Sequence, residues 1–404
     1  MSKIVLTTDD SVMSNYNNNI YLRFLSCLPR NILPLPLYRM IVPRLENSPD
    51  GSVKEPPLPL RAVEAICVNS GVPRKDVKIV QQSSIEDHVG PETKIVGVST
   101  HDPMGYGPAT STWSTIFNGK PHNRVFFSKL IKTINRLKEQ HDFKLVVGGS
   151  GYWQLELGDK LDRFGIDHLV EGEGEISIPG LFHSLLNNGS HPNRIVSDRI
   201  PNENEIPPIL GPTNCSLVEV TRGCGRGCKF CAPTTSGRLR SLPLEKITRE
   251  VKMLAEKGYD KIIFQSDDCL RYGSNTLMAD KDSVLNLFDE CFASGASELY
   301  ITHASLVTIA HQQDLIEDLT KKLQAHRVKY WGCQPGLETG SYRMVEKFMK
   351  GKIYPRDPEE WGETVIEAMK VMKDNNWYPV CTLISGLPEE DLEDVKMTTE
   401  LIKK

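Results

Sequence analysis

Short apolar runs alternate with amphipathic stretches along nearly the whole chain, and this alternation restricts the fold more than any other feature. KIVL (3–6), VKIVQ (77–81), KIVGVST (94–100) and KLVVGG (144–149) read as buried strands, and IDHLVEGEGE (166–175) as a strand ending in a tight turn. Between them, RAVEAICVNSG (61–71) and FFSKLIKTINRLKEQ (126–140) place apolar residues three and four apart, the helical period. ISIPGLFHSLL (176–186) is helical in part, with Pro179 expected in its first turn. Strands alternating with helices predict a parallel, doubly wound sheet. Such sheets bind ligands beyond the carboxyl ends of their strands, where the glycines and polar residues of this half gather.

The pattern lapses over 187–212, NNGSHPNRIVSDRIPNENEIPPILGP, which reads as a linker with a short strand near Arg194–Val196. A second alternation follows. SLVEVT (216–221), KIIFQ (261–265), ELYITH (298–303), VKYWGCQ (328–334) and YPVCTLIS (378–385) are strand-like. LEKITREVKMLAEKG (244–258) is a clear helix, and EEDLEDVKMTTELIKK closes the chain. The expected division is therefore a domain over 1–186, a linker over 187–212 and a domain over 213–404. With 404 residues the chain has room for two to three domains. A net charge of −4 gives no basic excess that would call for nucleic acid. No apolar run reaches the roughly 18–20 residues of a membrane span, and MSKIVLTTDD is not a signal peptide. The expectation is a cytoplasmic protein, in which ten cysteines are not a disulfide framework.

Three of those cysteines, Cys224, Cys228 and Cys231, fall within TRGCGRGCKFCAP (221–233), in the spacing C-x3-C-x2-C. One reading is zinc, but structural zinc takes four protein ligands and the local set is three. Cys215 is nine residues upstream, at the far end of a strand, and is a poor fourth. The other reading is an iron–sulfur cluster, which soft thiolates favour. Three thiolates on four irons leave one iron open. Gly223, Gly225 and Gly227 let a short loop wrap a bulky group, because glycine tolerates positive φ.

The spacing, set in a loop after the first strand of a βα barrel, resembles the radical S-adenosylmethionine (SAM) superfamily. The resemblance covers nearly all of 213–404 and implies a partial (β/α)6 barrel. It also implies a [4Fe–4S] cluster whose open iron chelates SAM and whose electron releases a 5′-deoxyadenosyl radical. By the same resemblance Phe230 packs beside the adenine. Asp267 and Asp268 of QSDD (265–268) hold the amino group of SAM, unless they cap a helix. Glu338 and Ser341 of GLETGS (336–341) lie near the ribose and methionine, and Gly386 of ISGLPEE (384–390) turns against the adenine. The family barrel has six βα units and this sequence shows five, so a C-terminal truncation is expected. An electron donor such as flavodoxin or ferredoxin is implied as a partner.

A doubly wound domain ahead of such a barrel resembles the cobalamin-binding branch of the superfamily. VGVST (96–100) parallels the strand whose serine meets the cobalamin tail, pointing to Ser99. VVGGSG (146–151) parallels the glycine loop under the dimethylbenzimidazole, pointing to Gly148, Gly149 and Ser150, and EGEGE (171–175) is a turn near the corrin side chains. The D-x-H-x-x-G of many cobalamin proteins is missing: TDDSVMSNYNNN (8–19) has no histidine. His101 follows a different strand and is expected to bond backbone rather than cobalt.

Three functions remain open on sequence alone. The first is cobalamin-dependent methylation of an unactivated carbon on a small-molecule, peptide or protein substrate. The second is radical chemistry without cobalamin, the first domain serving as a platform. The third is a non-enzymatic iron–sulfur or zinc protein.

Overall fold

A computed structural model describes residues 2–158, 160–231, 237–328 and 331–404. It divides into two compact units, Met1–Cys215 and Ser216–Lys404.

In the first unit six strands form one sheet: β1 (Ile4–Thr7), β2 (Val77–Ile79), β3 (Ile95–Ser99), β4 (Lys144–Gly148), β5 (His168–Glu171) and β6 (Arg194–Val196). Their order is β2-β1-β3-β4-β5-β6, and every pairing is parallel. The continuous apolar runs follow from burial on both faces. Val5, Val96 and Val98 join Phe127, Leu130 and Ile134 in one core layer. Ile4, Leu6 and Ile95 join Leu60, Ile66, Leu181 and Phe182 in the other. The strand order reverses between β1 and β3, so the loops that follow these two strands border the crevice where such sheets take ligands.

The helices lie at Leu58–Asn69, His122–Lys138 and Gly174–Leu186, among others. The last begins inside EGEGE and runs through Pro179, which lies beyond its first turn. The stretch read as a linker is bound to the first unit. Arg194–Val196 is the sixth strand, and Arg61 and Arg74 donate to the carbonyls of Pro212 and Leu210 at 2.9 and 3.0 Å. Two arginine side chains supply what the composition of 187–212 could not indicate, partners outside the segment.

The second unit holds parallel strands β7 (Leu217–Glu219), β10 (Lys261–Gln265) and β11 (Glu298–Ile301) in the order β11-β10-β7. Between β7 and β10 a two-residue antiparallel ladder, β8 (Thr221–Arg222) with β9 (Arg240–Ser241), closes the base of the cysteine loop. The fourth and fifth strands are each interrupted. β12 (Trp331–Cys333) pairs with β14 (Trp377–Pro379), and β13 (Gly336–Glu338) with β15 (Thr382–Leu383). The GLETGS segment, read as lying after the fourth strand, therefore begins as strand. Five parallel βα units are present among the described residues. Indole N–H groups stitch the arc: Trp331 donates to Leu299 O at 2.7 Å, and Trp377 to Thr320 Oγ1 at 3.0 Å. Both rings are buried and meet edge to face, 4.5 Å between centroids. No helix among the described residues is long and apolar enough to cross a membrane.

Candidate functional site

The cysteine loop leaves β8 through three left-handed glycines, Gly223, Gly225 and Gly227, with φ of 69°, 68° and 68°. Gly223 is obligatory for two reasons. A Cβ there would lie 2.6 Å from Arg238 O, and its φ disfavours any L side chain. The loop is held by its backbone: Gly225 N donates to Gly237 O (2.9 Å), Lys229 N to Phe348 O (2.8 Å) and Gly223 N to Asp267 Oδ2 (2.9 Å). Residues 232–236 lie outside the described residues.

Beneath the loop lies a charged trio that sequence reasoning did not single out as a unit. Arg226, Asp268 and Arg271 expose 3, 2 and 3 % of their side chains. Arg226 Nε donates to Asp268 Oδ2 at 3.1 Å, and its Nη2 to Ser305 Oγ at 2.8 Å. Arg271 stands 3.8 Å from the same carboxylate oxygen and donates to the carbonyl of Cys224. Asp268 Oδ1 accepts from Ser305 N at 3.2 Å. Asp268 is buried with both oxygens turned to Arg226 and Ser305, so in this structure it anchors the loop rather than facing a ligand as the resemblance implied. Asp267 stays half-buried, and its carboxyl is pushed up to about 6 by burial against the Gly223 hydrogen bond.

The three thiols differ. Cys228 is buried, whereas Cys224 and Cys231 are partly open. The neighbouring Cys228 thiol draws Cys231 down against burial, and the Lys352 charge helps. The same contact, with burial, pushes Cys228 up, and burial raises Cys224. Among the described residues no three His, Cys, Asp or Glu side chains are arranged to hold a metal ion. A single ion needs its ligands drawn to one point, whereas an iron–sulfur cluster meets each thiolate on a different iron. The soft donor set, the glycine loop and the buried cations fit the latter.

Lys352 is a second residue that sequence reasoning missed. Its Nζ lies 2.7 Å from Glu338 Oε1 and 5.9 Å from the Phe230 ring centroid. Glu338 is buried, has φ of 64°, and also accepts from Thr382 Oγ1 at 3.2 Å. Gly336 makes room for this pair: a Cβ there would stand 2.1 Å from Glu338 Oε1 and 2.2 Å from Lys352 Nζ. Phe230, Glu338 and Lys352 are thus brought together beside the thiols. Ser341 is not. Fully buried, it donates to Asp394 Oδ1 at 2.6 Å and caps the helix Tyr342–Ile353, so the ligand role drawn for it is given up. Gly386 sits in an open turn with φ of 93°.

In the first unit the residues singled out from sequence converge at the ends of β3 and β4. Ser99 pairs with Gly148. Thr100 N and Oγ1 both donate to Gly148 O, at 2.7 and 2.8 Å. At Gly149, φ is 92° and a Cβ would lie 2.5 Å from Thr100 O, so the two strand ends can close only on glycine. The closure leaves Ser99 half-buried and Ser150 exposed. His101 Nδ1 contacts Ser150 Oγ at 3.1 Å, a side chain rather than the expected backbone partner. The Arg23 charge holds that imidazole below its usual range. Glu171 of EGEGE is engaged by Arg194 of β6 at 2.6 Å. The loop after β1 is buried at Thr8, Asp9, Asp10 and Ser11, and Arg39 and Arg44 both reach Asp10.

These features define a two-unit α/β protein: a doubly wound sheet with a glycine-lined strand end, then a partial parallel barrel bearing a three-thiol loop. Residues 218–402, nearly all of the second unit, match the sequence model of the radical SAM superfamily.

Among curated proteins it is 26 % identical over 279 residues to tRNA-2-methylthio-N(6)-dimethylallyladenosine synthase of Fusobacterium nucleatum, covering 67 % of this chain and 60 % of that one. It is 28 % identical over 194 residues to threonylcarbamoyladenosine tRNA methylthiotransferase MtaB of Aquifex aeolicus, covering 46 and 42 %. The chain thus spans about 60 % of the length of the first of these relatives. Among solved structures, the radical SAM methyltransferase TsrM of Kitasatospora setae, with cobalamin and a [4Fe–4S] cluster bound, matches at a TM-score of 0.62 and 13 % identity, over all of this chain and 73 % of its own. The cobalamin-dependent SAM radical enzyme OxsB matches at 0.60 and 11 %, over all of this chain and 52 % of its own. At these identities the likeness is one of fold.

Proposed function

We propose that this chain is a radical SAM enzyme that uses cobalamin to methylate an unactivated carbon. The observation that carries the radical part is the loop of Cys224, Cys228 and Cys231 on three left-handed glycines, backed by buried cations. Cobalamin is supported by the convergence of Ser99, Gly148, Gly149 and Ser150 beside the switch point of the first sheet. The fold likeness to TsrM and OxsB over the whole chain points the same way.

When bound, the cluster supplies the electron that cleaves SAM, and cobalamin supplies a transferable methyl group. This chain's own residues hold and screen. Cys224, Cys228 and Cys231 ligate the cluster, and Asp267 offers its half-buried carboxylate to the SAM amino group. Phe230 gives an apolar wall, and Lys352 with Glu338 gives a fixed dipole beside it. The glycine pair and the two serine hydroxyls of the first unit receive a polar nucleotide tail.

A second reading, methylthio transfer to tRNA, is favoured by the names of the sequence relatives. The net charge of −4 over these 404 residues adds no basic excess in favour of that reading. Anaerobic reconstitution with iron and sulfide, then titration with hydroxocobalamin, tests the proposal. Corrin absorbance retained on the protein and 5′-deoxyadenosine formed from SAM are the expected results. Failure to retain corrin overturns the cobalamin assignment, and no 5′-deoxyadenosine overturns the radical one. Methylthio incorporation into tRNA would establish the second reading instead.

A further inference from the structure

The trio beneath the cysteine loop does not balance in charge. Two guanidinium groups face one carboxylate, and all three side chains are at least 97 % buried. Arg226 is fully engaged by Asp268, Ser305 and the Gly351 carbonyl. Among the described residues the hydrogen bonds of the Arg271 side chain go to neutral carbonyls, those of Cys224 and Thr276. A buried surplus charge is destabilising unless an opposite charge stands near it. The nearby group able to become strongly anionic is the set of three thiols, and Arg271 grips the backbone of the first of them.

We propose that Arg271, held against Asp268 and Arg226, is a positioning residue whose surplus positive charge sets the reduction potential of the cluster carried by Cys224, Cys228 and Cys231. The inference rests on the cluster assignment made above. Adding one electron to the cluster adds one negative charge. A buried cation at the Cys224 carbonyl favours that reduced form, and burial spares the interaction from screening by salt. Asp268 opposes the effect, so the trio acts as a fixed offset of one unit of charge.

The test is a redox titration of the full-length protein, reconstituted with iron and sulfide and poised with dithionite, with the reduced cluster read by its electron paramagnetic resonance signal. Arg271→Met should lower the potential by at least a tenfold shift in the reduction equilibrium, about 59 mV for one electron. Arg271→Lys, which keeps the charge, should stay near the parent value, and Asp268→Asn should move the potential up. Opposite shifts from the two ends of one ion pair cannot arise from loosening alone. A potential unchanged in an iron-replete Arg271→Met protein, or shifts of the same sign in Arg271→Met and Asp268→Asn, overturn the proposal. Should Arg271→Met lose iron, Arg271→Lys decides: a parent-like potential supports the charge role and a lowered one sinks it. If the parent protein itself takes up no four-iron cluster, the cluster assignment fails, and the proposal with it.

Discussion

The two strand-end loops use glycine for different ends. In the first unit Gly149 is needed because the ends of β3 and β4 close on each other, and the atoms it meets directly are neutral, the Thr100 backbone and the Ser99 hydroxyl. In the second unit Gly223, Gly225 and Gly227 lift a loop away from the sheet, and what lies around it is charge: Arg226, Asp268 and Arg271 below, Lys352 and Glu338 beside. A neutral polar slot suits a ligand held by shape and hydrogen bonds. A loop backed by buried cations suits an anionic guest. The difference lies in the tertiary neighbours of the glycines rather than in the glycines themselves.

The sharpest way to break this contrast is to remove a thiol. Cys228→Ala should bring bound iron and SAM cleavage to background while hydroxocobalamin binding persists, as iron analysis, 5′-deoxyadenosine assay and corrin absorbance will report. Loss of corrin binding as well would mean that the two loops are not independent.

Next comes the ion pair. Lys352→Met strands Glu338 with 10 % of its side chain exposed, and breaking a buried pair from one side costs about 3–5 kcal/mol. Urea denaturation should show a loss at the low end of that range, since Thr382 still serves the carboxylate. Restoring stability with Lys352→Met plus Glu338→Gln would confirm that the cost is electrostatic.

One pH effect arises in the first unit. Burial pushes Asp9 up from 3.8 to about 6, opposed by its bonds to Ser11 and reinforced by Asp10 and Asp102. The folded form therefore holds its proton more tightly than the unfolded one. This group's contribution is most favourable below about pH 4 and is lost as pH rises through about 6, about 3 kcal/mol in all. Asp9→Asn should flatten that part of the stability–pH curve relative to the parent. An unchanged slope would place the proton elsewhere.

The smallest effects separate the two kinds of glycine. Gly149→Ala meets Thr100 O as well as an unfavourable φ, and should cost about 1–3 kcal/mol together with corrin binding. Gly227→Ala meets open space and should cost about 1 kcal/mol from φ alone, with iron retained. Equal costs at the two positions would erase the distinction.

Much of the fold was legible in advance, because buried parallel strands carry continuous apolar runs and the helices between them keep their period. The three thiols were legible for a related reason: their spacing is local, and a loop must bring such neighbours together. Asp268 and Ser341 were not. Their neighbourhood in sequence resembles a ligand contact, but Asp268 turns to Arg226, 42 residues away, and Ser341 to Asp394, 53 residues away. The pairing of Lys352 with Glu338 was not legible either, because only the fold of the helix Tyr342–Ile353 against β13 gives it that partner.

By itself, then, the sequence determined the alternating elements and the triad of thiols, which depend on residues within a few positions of one another. Only the tertiary structure decided which charges are buried and with whom. Electrostatic pairing is a matter of distance in space, and residues far apart in the chain become its partners only once the sheet has brought their strand ends together.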